Sequence, residues 1–339
     1  KYIAGCSAHA GSQILSLLYN IVDRIYIARI PDMGTTALGA VGLCFPIIML
    51  TIAFSNLFGS GGAPLFSIKR GMSDDRAANT IMNTSFTMVC TFAVVFTALC
   101  MIFAKPLLIL FGASENALKY ALPYLLIYLI GTLPSMISTG MNPFINAQGY
   151  STTGMLSVAI GAVANLVLDP LFIFGFNFGI KGAAIATVSA QALSVVFAVV
   201  LLIKKELPFT ITKKDFRLNP QCRRFLKIGL PLALQEFLTQ ISFLALCAFV
   251  NRLGLEASSG YGVACKIVNF AMLVPSSLMQ SMASFVSQNV GAGKPKRARK
   301  SMLTGIGVGL SVGCLVFILI LLKGDVLAGF FSTDAGVIQ

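Results

Sequence analysis

Asn165-Leu166-Val167-Leu168-Asp169-Pro170, set inside an apolar run from about Thr152 to Phe178, is the stretch that decides how this chain folds. A carboxylate in the middle of a membrane-length segment costs roughly +2.5 to +3.5 kcal/mol on insertion scales, against about −0.5 for a leucine. Such residues rarely face lipid, so the default reading is an ion, proton or substrate pathway. Asn165 and Asp169 are four apart, which stacks them on one helix face. Pro170 has no backbone N–H, so the carbonyl of Leu166 loses its helical partner on or near that face. A carboxylate, an amide oxygen and a spare carbonyl within one turn are the raw material of a small-cation site.

Composition places that segment in a polytopic, all-α membrane protein. Hydrophobic residues make up 56% of the 339, charged residues only 11%, and mean hydropathy is +0.85. Soluble domains carry about a quarter charged residues. The net charge of +13 raises nucleic acid as a partner, but the basic residues fall in short loops between apolar spans, where positive charge sets topology. No nucleic-acid role is expected. Eight cysteines include no CxxC pair, and most lie in spans as small apolar fillers. The single histidine, His9, cannot build a metal cluster. The chain begins at Lys1, already inside a span, so we read no signal peptide and expect a fragment.

Nine stretches are long enough to cross a bilayer, which takes about 20 residues each. They fall near 3–29, 37–68, 77–104, 118–148, 152–177, 179–203, 225–250, 257–290 and 301–322. Kinks are expected at Pro46, Pro64, Pro123, Pro134, Pro143 and Pro275. Alternate loops differ sharply in Lys and Arg. One side holds 16, at 69–76, 204–227 and 294–300; the other holds 6. The richer side is read as cytoplasmic, which puts the amino terminus inside. The basic segment 204–224 then divides a first lobe, 1–203, from a truncated second lobe, 225–339.

An internal repeat supports that division. A shift of 221 residues lays Gly39 on Gly260, Arg76 on Arg297 and Ala77 on Ala298, and a shift of 220 lays Phe111 on Phe331. The offset spans six crossings, an even number, so the lobes share one topology, as in transporters with a pseudo-twofold axis along the membrane normal. By that register Gln339 matches about Lys119, three further spans are missing, and the intact protein has twelve crossings in two six-helix lobes.

Polar stripes run along several spans. Ser16, Tyr19, Asn20 and Asp23 follow helical spacing in the first, and Thr187, Gln191 and Ser194 in the sixth. The seventh carries Gln235, Glu236, Thr239 and Gln240; the eighth Ser277, Ser281, Ser284 and Gln288. Hydroxyls in such stripes commonly bond across helices as packing contacts. Asp23 and Asp169 are different, because two unpaired acids cost far more than packing returns. Arg24 follows Asp23 but points about 100° away around the helix, so it is no obvious partner. Tyr19, Asn20, Gln191, Glu236 and Gln240 are candidates for a substrate cavity.

Four motifs carry a resemblance. Tyr-Asn-Ile-Val-Asp-Arg-Ile-Tyr-Ile-Ala (19–28), Asn-Leu-Val-Leu-Asp-Pro-Leu-Phe-Ile-Phe-Gly (165–175), Lys-Gly-Ala-Ala-Ile-Ala-Thr (181–187) and Gln-Asn-Val-Gly-Ala-Gly-Lys-Pro-Lys-Arg-Ala (288–298) resemble the multidrug and toxic compound extrusion family, in the expected order. The resemblance implies twelve helices around a central cleft and export of organic cations and other drug-like molecules, driven by inward flow of Na+ or H+. It implies a monomer in the plasma membrane with no organic cofactor. It also implies a coupling site in the first lobe made of Asp23, Asn165, Asp169 and Thr187, with Na+ as the metal it would hold. Another branch places an essential acid further along the seventh helix, at a place where this chain has Gln240, so that role does not pass to Glu236. The alternatives are weaker. A lipid-linked saccharide flippase would line its cleft with basic residues, and only Arg24 and Lys266 lie within spans. An intramembrane enzyme needs a nucleophile with a base, or metal ligands, and a channel needs a filter motif.

Overall fold

The computed structural model describes residues 2–31, 34–204, 220–252 and 255–329, with backbone alone at some positions, Gln240 and Lys266 among them. Most of the 204–224 segment lies outside the described residues. The described chain is helical throughout: α1 Tyr2–Ala28, α2 Gly34–Gly71, α3 Asp75–Ile102, α4 Ala104–Leu110, α5 Glu115–Ile130, α6 Thr132–Ala147, α7 Ser151–Pro170, α8 Ile180–Lys204, α9 Pro220–Asn251, α10 Leu255–Ala271, α11 Leu273–Gly291 and α12 Pro295–Gly329. A π-helical turn, Leu171–Gly175, follows α7.

Seven of the spans among the described residues are long and apolar enough to cross a membrane, and α5 with α6, bent by 53°, makes an eighth. The ninth expected stretch is α1. It is 27 residues long, but with its polar stripe it is not among the helices that qualify. It is the helix that brings Asp23 inward.

Not every proline breaks its span. Pro46 and Pro64 sit inside an unbroken α2, Pro123 inside α5 and Pro143 inside α6. The breaks fall at Gly131 and Met272, just before Pro134 and Pro275. A proline ring clashes with the carbonyl four residues back, and those carbonyls belong to Ile130 and Ala271, the last residues before each break.

The internal repeat is visible as backbone geometry, and it corrects the register. Both α2–α3 and α11–α12 turn through a left-handed residue, Ser73 (φ 59°) and Gly293 (φ 67°). The N–H groups of Met72, Ser73 and Asp74 donate to Ile68, Arg70 and Lys69; those of Ala292, Gly293 and Lys294 donate to Gln288, Val290 and Asn289. Every pair is 220 apart, not 221. Buried Ala78 therefore matches buried Ala298, and Arg297 matches Ala77. Further on, the non-helical joint at Phe103 recurs at Lys323. A one-residue slip is easy in sequence, since small and apolar residues dominate both copies, but the left-handed position admits one register only.

Packing centres on α2, which lies against α3, α5, α6, α9 and α11, while α1 lies on α7 and α11, and α7 on α8. One core joins Ile27, Cys44, Leu125, Leu129, Ile173 and Ala184. Another sets Phe225 of α9 against Phe66 and Phe144, tying α9 to the first half. Outer faces of α9 and α12 expose Phe249, Leu310, Phe317 and Leu322, as expected where the solvent is acyl chain.

Hydroxyls divide as packing predicts. Thr51, Ser55, Thr84, Ser277 and Ser311 bond back to the carbonyl four residues earlier. Ser85 and Ser194 instead cross between helices, Ser194 Oγ donating to Ser157 O at 2.7 Å. Ser194→Ala should therefore cost about 0.5–1.5 kcal/mol, read as a lower Tm. Ser311→Ala, exposed and self-bonded, should change nothing measurable.

Candidate functional site

The site begins on α7, where one helical turn places two polar side chains facing inward. Asn165 is 2% and Asp169 0% exposed, so neither touches lipid. Asn165 Nδ2 donates to Asp169 Oδ1 at 3.3 Å and also approaches Thr187 Oγ1 on α8 at 3.5 Å. The Thr187 hydroxyl spends its proton on its own Ala183 carbonyl at 3.0 Å, which leaves its oxygen as an acceptor toward Asn165. Asp23 arrives from α1, half-buried and within side-chain hydrogen-bonding reach of Asp169. The four residues expected to act together are thus brought together, from three helices.

Small residues allow the approach. Ala162, Ala183, Ala184, Ala186 and Ala190 are buried at the α7–α8 contact and beside it. Gly182 starts α8 so close to the π turn that an added Cβ would lie 2.6 Å from the Phe172 carbonyl oxygen. Pro170 ends α7 and the wider π turn begins at once. Such turns place an interrupted hydrogen-bond ladder beside functional groups.

What the cluster lacks decides its chemistry. Asp23 Oδ1, Asn165 Oδ1 and Asp169 Oδ2 are buried without any hydrogen-bond partner. Among the described residues the ion pairs are Lys69–Asp74 and Arg70–Asp75, both at the α2–α3 turn, so no base forms an ion pair with Asp23 or Asp169. Arg24 is exposed. Two carboxylates this close and this dry need a shared proton or a cation. The donors are all hard oxygens, and no group of three His, Cys, Asp or Glu side chains forms among the described residues. That set fits an alkali ion or a proton better than a transition metal.

The other candidates separate. Tyr19 and Gln191 are half-buried beside Tyr128, one step along from the carboxylates. Asn20 is exposed and donates to its own Ser16 carbonyl at 2.7 Å. Glu236 is exposed on α9, and no hydrogen bond or ion pair joins it to the cluster among the described residues. The side chain of Gln240 lies outside them. Two residues escaped the sequence reading: Tyr124 and Tyr128 of α5, buried and stacked with centroids 6.3 Å apart. Tyr124 is close enough to feel both carboxylates. Their spacing of four inside an apolar run was the available signal, and it is equally the signal of ordinary core.

Known proteins share the fold. The MatE family model matches residues 9–171 and 231–339. The FAD transporter of Shewanella oneidensis is 25% identical over 96% of this chain and 73% of its own length. The multidrug export protein MepA of Staphylococcus aureus is 23% identical over 96% and 72%. A multidrug resistance MATE family transporter solved in an outward-facing conformation shares the fold with a TM-score of 0.88, at 23% identity, over 99% of this chain and 75% of that one. Another superfamily transporter, from Pyrococcus furiosus, gives 0.87 at 23% identity over the same shares. The chain spans about three quarters of the length of these proteins. With its all-helical membrane fold and the family match over most of its length, the chain belongs to the MatE family of membrane transporters, the multidrug and toxic compound extrusion proteins.

Proposed function

We propose that this protein is a secondary active exporter of drug-like organic cations, driven by Na+ or H+ moving inward, with the coupling ion carried by Asp23, Asn165, Asp169 and Thr187. The observation that supports it most is the trio of buried oxygens on Asp23, Asn165 and Asp169 that have no partner. In a low-dielectric interior an unsatisfied acceptor is costly, and an unneutralised carboxylate more so. An ion that visits periodically relieves both. When it binds, Asp23 on α1 and Asp169 on α7 no longer repel, so the two helices can draw together, and the π turn after Pro170 is the place for that change to be absorbed. Relatives named for multidrug export support drug-like molecules as the substrate class.

Alternating access then follows from the repeat. The α1–α8 and α9–α12 portions act as two lobes that rock about the site, in the plasma membrane, with the basic turns and the amino terminus on the cytoplasmic side. Carboxylates serve Na+ and H+ alike, so the test separates them by gradient. The intact protein in proteoliposomes, loaded with ethidium, is given a Na+ gradient alone or a pH gradient alone. Export under one of them supports the proposal. Export under neither, from protein that retains its Tm, refutes it.

A further inference from the structure

A second polar cavity lies far from the carboxylates, where the two copies of the repeat meet. It is an open cleft of about 360 Å³ at the end bearing the α2–α3 and α11–α12 turns, within the 300–1,000 Å³ typical of small-molecule sites. Arg70 and Gln148 line it from the first half; Gln288, Asn289, Lys294 and Arg297 line it from the second. No carboxylate is among its lining residues.

The repeat shows why that charge is unusual. At the first turn the cations have built-in partners: Lys69 pairs with Asp74 at 3.6 Å, and Arg70 with Asp75. Asp74 Oδ1 also accepts from the Ala77 N–H, capping the start of α3. Shifted by 220, Asp74 becomes Lys294 and Asp75 becomes Pro295. Both carboxylates vanish, and so do their cations, since Lys69 becomes Asn289 and Arg70 becomes Val290, while the backbone turn stays the same and Lys294 and Arg297 bring new positive charge. The start of α12 is left without an acidic cap, and the described residues hold no ion-pair partner for Lys294 or Arg297. Arg297 rests over the Phe285 ring at 5.6 Å, which holds its guanidinium at the cavity. Cations without an acidic partner, gathered on one wall of a cavity, attract anions.

We infer that this cavity binds a phosphate-bearing anion between Arg70 of the first half and Lys294 and Arg297 of the second. The positive-inside tendency explains basic turns, but not a cavity drawn from both halves that gathers three of their cations with no carboxylate in its lining. Bound there, the anion touches Arg70 on one side and Lys294 and Arg297 on the other. It bridges the two halves, and so favours the arrangement in which they are joined at this end.

The phosphate can come from solution or from a lipid headgroup, and the test has an arm for each. Tm of the intact protein is followed in detergent as inorganic phosphate replaces chloride at matched ionic strength. It is also followed in phosphatidylcholine nanodiscs with and without phosphatidylglycerol. Protection in the first arm assigns soluble phosphate; protection confined to the second assigns the headgroup. Lys294→Gln with Arg297→Gln should raise the half-saturating concentration by about tenfold or more. Arg299→Gln with Lys300→Gln, exposed on the same helix but outside the cavity, removes equal charge and should leave it unchanged. Absence of protection in both arms, or an equal loss in the two double variants, overturns the inference.

Discussion

Asp169→Asn is expected to bring gradient-driven export down to the background of empty liposomes, while the protein still inserts and keeps or raises its Tm. The two halves of that result have different physical origins. Asp169 is fully buried, accepts one hydrogen bond from Asn165, and carries a second oxygen with no partner. A charge-assisted contact is worth about 1.5–3 kcal/mol, or roughly tenfold to a hundredfold in ion affinity. Loss of affinity alone would be recovered at high ion concentration. The larger loss is of the repulsion between Asp23 and Asp169 that ion binding is proposed to relieve. Without it, filling the site no longer changes how α1 and α7 pack, and the gradient has nothing to drive. Insertion improves for the opposite reason, since an amide in the hydrocarbon region costs less than a carboxylate. Wild-type export by this variant in the same vesicles would sink the proposed site, and a fall in Tm would show that the carboxylate is structural.

Gly291→Leu should lower Tm by about 3–10 °C and depress export with it. Gly291 ends α11 against the end of α2, where an added Cβ would land within the carbonyl group of Ile68. The repeat places Gly71, its counterpart 220 residues earlier, against the Gln288 carbonyl in the same way. Backbone meets backbone on both sides of the seam, so neither can yield as the tip of a side chain would. Overpacking of this sort costs about 1–3 kcal/mol, and Tm in a chain this long shifts about 2–4 °C per kcal/mol. Gly313→Leu is the matched control, because nothing lies within 4 Å of a Cβ there. Equal Tm values for the two variants would show that the close approach at Gly291 is not sustained in the protein.

The membrane class, the spans and the α7 half of the site were legible because their causes are local. Asn165 and Asp169 share a face by the period of the helix alone, whatever surrounds them. The proline breaks were half legible. A proline removes one hydrogen bond wherever it stands, but whether the helix opens depends on what packs beside it. Pro46 and Pro64 lie in α2, held on five sides by other helices, and that helix stays whole; Pro134 and Pro275 stand at breaks. Tyr124 could not be told from core, since a buried tyrosine beside a carboxylate and one beside leucine have the same neighbours in sequence.

By itself, then, the sequence determined that the chain spans a membrane, that it carries two costly acids, and that its two halves repeat. Each of these follows from the free energy of placing particular side chains in hydrocarbon, a property of short segments. Tertiary structure alone decided that Asp23 reaches Asp169, which of the two shifts, 220 or 221, is the register of the repeat, and that the halves touch backbone to backbone at Gly71 and Gly291. Those outcomes depend on how helices interlock at close range, and shape complementarity between distant segments has no signature in either segment taken alone.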